Sequence, residues 1–258
     1  SILGIPYFLF LVIFVVCPVL ILLYYAFTNG AGEFSLANFT LFFTDSKAIG
    51  TLIYSVMVAV VTTIVCLLIA YPVAYLLAKG EFRRGNVLLM LFVMPMWINF
   101  TLRITALKEI LTLIEGNLAF HPFLNTVIGM TYDFLPFMIL PIYNALVRIR
   151  KDLIEAARDL GAGNLLVFFK IILPLSLSGV FSGIIMVFVP ALTSFVISDL
   201  LGGGKVLLIG NVIEQSFMQG MDWHLGSGLS IVLMIFVIAS MAFMNRQDKE
   251  NEGGNAVW

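Results

Sequence analysis

Long apolar runs recur along this chain, separated by short stretches that hold nearly all of its charge. Six runs can be drawn, at about 3–27, 51–78, 87–105, 123–147, 174–198 and 226–244. As helices rising ~1.5 Å per residue, they match a hydrocarbon layer of ~30 Å. Hydrocarbon leaves open backbone groups without partners, so spanning segments must be helices or a closed barrel. Runs such as LIYSVMVAVVTTIVCLLIA show no alternation of period two, which argues against a barrel. The pattern therefore predicts an all-α polytopic membrane protein with six transmembrane helices.

Composition sharpens this picture. The 258 residues are 61% hydrophobic and 11% charged, against about 25% charged in an ordinary soluble domain. Cys17 and Cys66 both lie inside apolar runs, a placement that suits small buried residues rather than a disulfide framework or metal cluster. The chain opens on Ser1, read as a trimmed N-terminus. Its first run has no basic leader and exceeds the ~7–15 apolar residues of a signal peptide, so it is expected to be a retained span.

Charge sets the orientation. Lys79, Arg83 and Arg84 follow the second run, Arg148, Arg150, Lys151, Arg158 and Lys170 the fourth, and Arg246 and Lys249 the sixth. These fall on one side, which the positive-inside bias makes the cytoplasm, with both termini there. Opposite them lie Lys47, Arg103, Lys108 and Lys205 against Glu33, Asp45, Glu109, Glu115, Asp199, Glu214 and Asp222, a formal −3. Such a field concentrates cations at the outer mouth, although ordinary loop charge produces the same count.

Two loops carry patterns of their own. In TALKEILTLIEGNLAF, Leu107, Ile110, Leu111, Ile114 and Leu118 share a helical face, predicting a helix along the outer interface. The stretch from Ser198 to Trp223 is too polar and Gly-rich to cross lipid alone, but can dip into the membrane under cover of protein or water. The tail NRQDKENEGGNAVW reads as solvated and mostly disordered. Neither an internal repeat nor a soluble domain is visible.

One charged stretch interrupts the apolar pattern: EAARDLGAGNLLVFFKIILP, Glu155 to Pro174. A helix from about Lys151 to Leu160 would stop at Gly161, and a second would run from Asn164 to Leu173, with Pro174 opening the fifth span. The product is a two-helix knob on the cytoplasmic surface. Ala156 and Ala157 leave room for another protein to approach, and Glu155, Arg158 and Asp159 offer charge at the rim. A solvated amphipathic linker is the plainer alternative.

The spacing Glu155-Ala156-Ala157, three residues, Gly161, nine residues, Ile171, one residue, Leu173-Pro174 resembles the EAA motif of permease subunits of binding-protein-dependent ABC importers. The resemblance implies the type I importer permease fold. Residues 1–50 would form a first helix and outer loop, and 51–244 the permease core with a coupling helix at about 152–172. Residues 245–258 would form a cytoplasmic tail. It further implies that Glu155, Ala156, Ala157, Asp159, Gly161, Ile171, Leu173 and Pro174 form an ATPase-coupling surface. Glu155 would supply a polar contact and Gly161 the turn. GGGKV at 202–206 lacks the phosphate-loop spacing, so this chain is expected to bind no cofactor, with ATP and Mg on partner ATPase subunits.

The strings MPMWINFTLRITALK, LPFMILPIYNAL, EAARDLGA and SDLLGGGKVLLIGNVI are similar to the B-type permease of spermidine/putrescine importers. That similarity implies a bacterial inner-membrane location and a polyamine cargo. It also implies a second homologous permease, two ATPase subunits and an extracytoplasmic polyamine-binding protein as partners, besides membrane lipid; no nucleic acid is expected. Asp133 stands where an apolar residue is expected in that subfamily.

A polyamine needs carboxylates for its amines and aromatic faces for its stem and charge. The candidate path is Trp97, Tyr132, Asp133, Asp199 and Glu214. An ionised residue at mid-span is a functional candidate by default. The structural alternatives are an interfacial anchor for Trp97, an ion pair between Asp133 and Arg103, and a cap on the Gly202–Gly204 turn for Asp199. Gly179 and Gly183, with Ser178 and Ser182, form a small-residue face for close helix packing. A rocking contact with the partner permease is the alternative role. A permease for an inorganic anion or ferric complex is the nearest rival function. A self-contained ion-driven carrier would need an inverted repeat. An enzyme would need more than His121 and His224, which lack spaced ligands.

Overall fold

Apart from a Thr28–Phe34 bridge, the regular structure of the described residues is helical, as backbone self-sufficiency in lipid requires. The computed structural model describes residues 5–44, 46–80 and 85–254, so Asp45, Arg83 and Arg84 of the charge pattern lie outside the described residues. The helices are α1 (Ile5–Ala26), α2 (Ala37–Thr44), α3 (Ser46–Lys79), α4 (Val87–Trp97), α5 (Phe100–Glu115), α6 (Pro122–Arg148), α7 (Lys151–Asp159), α8 (Asn164–Thr193), α9 (Val196–Leu201), α10 (Ile209–Met218) and α11 (Trp223–Gly254). Five of these are long and apolar enough to cross a membrane, namely α1, α3, α6, α8 and α11.

The third expected span is broken. Instead of one helix over 87–105, α4 and α5 meet at 95°. α4 alone is about 16 Å long at ~1.5 Å per residue, roughly half the hydrocarbon thickness. The cause is local. Pro95 sits in a 3₁₀ turn at Met94–Trp97. Beyond it the Asn99 side chain accepts from the backbone N–H groups of Thr101 and Leu102, at 3.0 and 3.3 Å. That N-cap starts a new helix in a new direction. α5 thus begins at Phe100, well before the expected interfacial helix. The apolar face expected there is divided: Leu107 and Leu111 of α5, and Leu118 just beyond it, turn toward the protein, whereas Ile110 and Ile114 are exposed.

α6 is the central helix, with 61% of its most apolar window buried, against none of α1. It packs along α3 and α8, and α8 also packs on α3 and α11. Pro136 and Pro141 lie inside α6, Pro72 inside α3 and Pro190 inside α8, and none ends its helix. α1 leans on α11 through its Cys17–Ala26 half. Asn38 Nδ2 ties off its last turn by donating to the carbonyls of Ala26 and Thr28, at 2.9 and 3.1 Å.

Two further expectations change. The segment after Gly161 is the start of α8 rather than a separate helix ending at Leu173. A π turn over Phe168–Ile172 lets Leu173 N–H reach Phe168 O, and the chain carries on through Pro174 without a break. The helix ends at Thr193, where extended Ser194 leads to α9, so the fifth span is shifted toward the knob relative to 174–198. At the other end, α11 continues helically through Asn245–Gly254, a stretch expected to be disordered.

The two glycines of the small-residue face of α8 pack within the chain. A Cβ on Gly179 would lie 2.6 Å from both Pro141 O and Ala145 Cβ, and one on Gly183 would lie 2.6 Å from Met138 Sδ. Gly179→Val is expected to force α6 and α8 apart and lower stability by about 1–3 kcal/mol, the usual cost of overpacking. Gly50→Ala, where a Cβ meets nothing within 4 Å, should leave the melting midpoint of the detergent-solubilised protein unchanged or slightly raised.

Candidate functional site

The charged stretch folds into a short helix and a sharp turn at one end of the bundle. α7 starts after Arg150, whose guanidinium grips the Asp152 carboxylate through Nη2 and through Nε at 3.1 Å. The hydrogen bond from Arg150 holds the Asp152 carboxyl below the usual carboxylate range, and the same bond raises Arg150. Asp152 in the first turn and Arg158 in the last both suit the helix dipole. The C-terminus is a Schellman motif: Gly161 N–H donates to Arg158 O at 2.9 Å and Ala162 N–H to Ala157 O at 3.0 Å. Gly161 has φ +84, and a Cβ there would meet nothing within 4 Å, so the requirement for glycine is torsional rather than spatial. Across the turn, Arg158 Nη2 reaches Asn164 Oδ1 at 3.2 Å.

Burial splits the motif residues. Glu155, Ala156, Asp159 and Gly161 are exposed. Ala157, Ile171, Leu173 and Pro174 are half-buried, and Ile154, Ala157 and Ile171 pack on the core. The two alanines therefore differ: Ala156 faces out, while Ala157 seats the helix. Leu160 is 90% exposed and Leu165 75% exposed beside these charges. An apolar pair with a charged rim is the composition of a protein-docking surface. Lys79 Nζ, donating to Ile149 O at 2.8 Å, anchors the end of α3 to the root of α7.

The proposed path residues do not form one cluster. Asp133, at mid-helix in α6, is 4% exposed and paired with Arg103, itself 8% exposed. The Arg103 guanidinium also lies 6.0 Å from the ring of Tyr132, so Tyr132, Arg103 and Asp133 do come together. The pair borders a cavity of about 420 Å³ that includes Phe100, Phe134, Phe137 and Pro190. Arg103 is therefore spent on a buried ion pair rather than standing as a free surface charge. Two of its buried donors, Nε and Nη1, have no acceptor among the described residues. Trp97 is 82% exposed at the bend between α4 and α5. Glu214 lines a neighbouring cavity of about 600 Å³, which shares Thr193 and Phe195 with the first.

Asp199 belongs to a different arrangement. Its Oδ1 accepts from Asn211 Nδ2 at 2.5 Å, and Asn211 also binds Phe195 O, Ser198 Oγ and Leu208 N–H. Ile209 N–H donates to Ser55 Oγ at 2.8 Å, fastening this loop to α3. Asn211 was not singled out in the sequence. Its spacing from Asp199 carries no periodic signal, because only the return of α10 onto α9 brings them together.

A third cavity, of about 610 Å³, lies between α6 and α8 at the end that carries α7, bounded by Asn144, Arg148, Ser178, Ser182 and Met186. On the opposite side of α8, a groove of about 560 Å³ against α3 and α11 has an almost entirely apolar lining.

Asp133→Ala should leave Arg103 as a buried unpaired charge and cost about 3–5 kcal/mol, whereas Arg103→Met with Asp133→Leu should cost far less. Thermal unfolding of the purified variants checks this; an equal loss in both would mean that the ion pair is not the cause.

Comparison with known proteins places this architecture. Residues 70–249 match the family described as "Binding-protein-dependent transport system inner membrane component". The spermidine/putrescine transport system permease protein PotB of Haemophilus influenzae is 37% identical over 262 residues, covering 94% of this chain and 91% of that protein. PotB of Escherichia coli is 38% identical over 216 residues, 78% of each chain. A bacterial ABC transporter involved in the import of the polysaccharide alginate shares the fold, with TM-score 0.72 and 16% identity over 95% of this chain and 93% of that one. The apolar helices, the α7 turn and the match over most of the chain lead to one conclusion: this multi-pass membrane protein belongs to the binding-protein-dependent transport system inner membrane component family.

Proposed function

We propose that this chain is the permease subunit of an ATP-driven importer whose cargo is a polyamine of the spermidine/putrescine class. The observation that carries the cargo assignment is the similarity to permeases named for spermidine and putrescine, which runs over 94% of the chain. In this reading α7 lies in the cytoplasm, both termini are cytoplasmic, and a second permease subunit completes the route. An extracytoplasmic binding protein delivers the cargo, and two ATPase subunits hydrolyse ATP with Mg. The chain itself performs no hydrolysis.

The rigid, sharply turned α7 supports the coupling role of Glu155, Ala156, Asp159 and Gly161, with Ala157, Ile171, Leu173 and Pro174 seating the segment on the spans. ATP-driven closure of the ATPases shifts the permease only if they contact α7 differently in the two states. Among the path residues, Asp133 and Glu214 border cavities and Tyr132 stands beside Arg103, and these three are the proposed cargo contacts. Trp97 fits an interfacial anchor at the bend, and Asp199 acts at the outer mouth through its bond to Asn211. The aromatic walls suit methylene stems and ammonium groups.

The direct test is uptake by proteoliposomes holding the whole complex. ATP-dependent accumulation of spermidine or putrescine, with none of an inorganic anion, is the expected result, and the reverse pattern overturns the cargo assignment. For coupling, a non-glycine residue at φ +84 costs about 1–2 kcal/mol or more, and a β-branched one is worse placed. Gly161→Val should therefore reduce transport-coupled ATP hydrolysis by about tenfold, and Gly161→Asn, which tolerates this conformation, by much less. Normal coupled hydrolysis in Gly161→Val would remove the turn from the mechanism.

A further inference from the structure

Asp133, Phe137, Pro141, Asn144 and Arg148 recur along α6 at intervals of three or four, and so do Ser178, Ser182, Met186, Pro190 and Thr193 along α8. Each set therefore occupies one helical face. Both sets border the same two cavities. The outer one, of about 420 Å³, contains Asp133, Phe137, Pro190 and Thr193. The inner one, of about 610 Å³, contains Pro141, Asn144, Arg148, Ser178, Ser182 and Met186. They lie in series along a single seam, about one helical turn apart on each helix, ~5.4 Å. From Thr193 to Leu175 at the inner end the seam runs about 27 Å at ~1.5 Å per residue, close to the ~30 Å of a hydrocarbon layer.

The inner cavity has the wrong chemistry for lipid. Asn144 and Arg148 are exposed on a spanning helix, and Ser178 and Ser182 are half-buried facing them. None of these four side chains makes a hydrogen bond or ion pair among the described residues. Two hydroxyls on the far side of α8 are instead satisfied by the preceding turn of their own helix, Thr63 by Ala59 O at 2.7 Å and Ser240 by Phe236 O at 2.8 Å. Those two border the apolar groove on the other side of α8. Similar volumes on two sides of one helix thus present opposite surfaces, one without open polar groups and one with four. At the junction of the two cavities, Pro141 and Pro190 lack the N–H groups that would occupy the carbonyls of Phe137 and Met186, which releases two acceptors there.

We propose that the α6–α8 seam is this subunit's wall of the transport route. Its inner cavity is water-filled, and the oxygens of Asn144, Ser178 and Ser182 form a transit site for an ammonium-bearing cargo. Neutral oxygens replace water around an ammonium without trapping it as a carboxylate would. The unpaired Arg148 at the mouth disfavours a cation remaining there, so the site passes cargo rather than storing it. The assignment rests on the permease reading above, but the aqueous seam does not depend on which solute is carried.

The experiment uses the full complex in nanodiscs with Cys17→Ser and Cys66→Ala. Single cysteines are introduced as Ser182→Cys, Asn144→Cys and, in the apolar groove, Ile64→Cys. Each is treated with a membrane-impermeant trimethylammonium methanethiosulfonate reagent, with folding verified by size exclusion. A thiol in hydrocarbon keeps its proton and stays inert, so Ser182→Cys and Asn144→Cys should react at least ~10-fold faster than Ile64→Cys. Spermidine should slow both. If both are as inert as Ile64→Cys, with and without ATP, the seam is sealed by lipid or protein and the proposal fails. Reaction without protection by spermidine retains the aqueous seam and overturns the transit site. Failure of polyamine uptake by the unmodified complex would overturn the cargo assignment alone, leaving the accessibility result in place.

Discussion

At Gly179 the backbone of α8 approaches α6 so closely that a methyl group would lie 2.6 Å from the carbonyl of Pro141. Helices in lipid gain little from hydrophobicity when they associate, because the surrounding chains are equally apolar, and close van der Waals contact has to supply the attraction. This contact sets the geometry around it. It fixes the line along which the two cavities lie, and Arg148 and Asn164, the adjoining ends of the same helices, are the two points between which α7 is suspended. A push on α7 therefore acts on the pair of helices that forms the seam. In the proposed cycle this is how a cytoplasmic event reaches the route without a separate relay.

Buried polar groups secure the remaining pieces. Arg103 on α5 and Asp133 on α6 are too costly to bury singly, so their pairing holds the broken helix against the centre of the bundle. Around α9 and α10, Asn211 gathers Phe195, Ser198, Asp199 and Leu208 into one hydrogen-bonded cluster, while the Ser55 hydroxyl binds this segment to α3. The segment from Ser194 to Met218 can thus sit against the spans although its own sequence is too polar to cross lipid.

The spans and the α7 turn were legible in the chain because each signal is local. An apolar run of sufficient length can satisfy its backbone only as a helix, and Gly161 after a charged amphipathic turn marks a helix end whatever surrounds it. The break at Ile98–Asn99 was partly legible. Pro95 and Asn99 are stop and start signals, but the apolar run continues past them and hydropathy alone joins α4 to α5. The continuity of α8 through Pro174 was hidden for the opposite reason, since a proline at a plausible helix start was absorbed by a π turn. What marks the path residues in the sequence is chemical type. Type does not say that Asp133 is held by Arg103, that Trp97 projects from a bend, or that Asp199 answers to Asn211.

By itself, the sequence determined that the chain is a helical membrane protein, where most of its spans lie, and that one charged helix ends in a turn at Gly161. Those properties follow from hydropathy, torsional preference and spacing along the chain, which act over a few residues. The tertiary structure alone decided which polar groups neutralise one another, which face of α8 meets protein, and that Asn144 and Ser182 share a cavity. Those depend on the approach of helices distant in sequence, where a missing Cβ or an available partner within 3 Å sets the outcome and no local pattern records it.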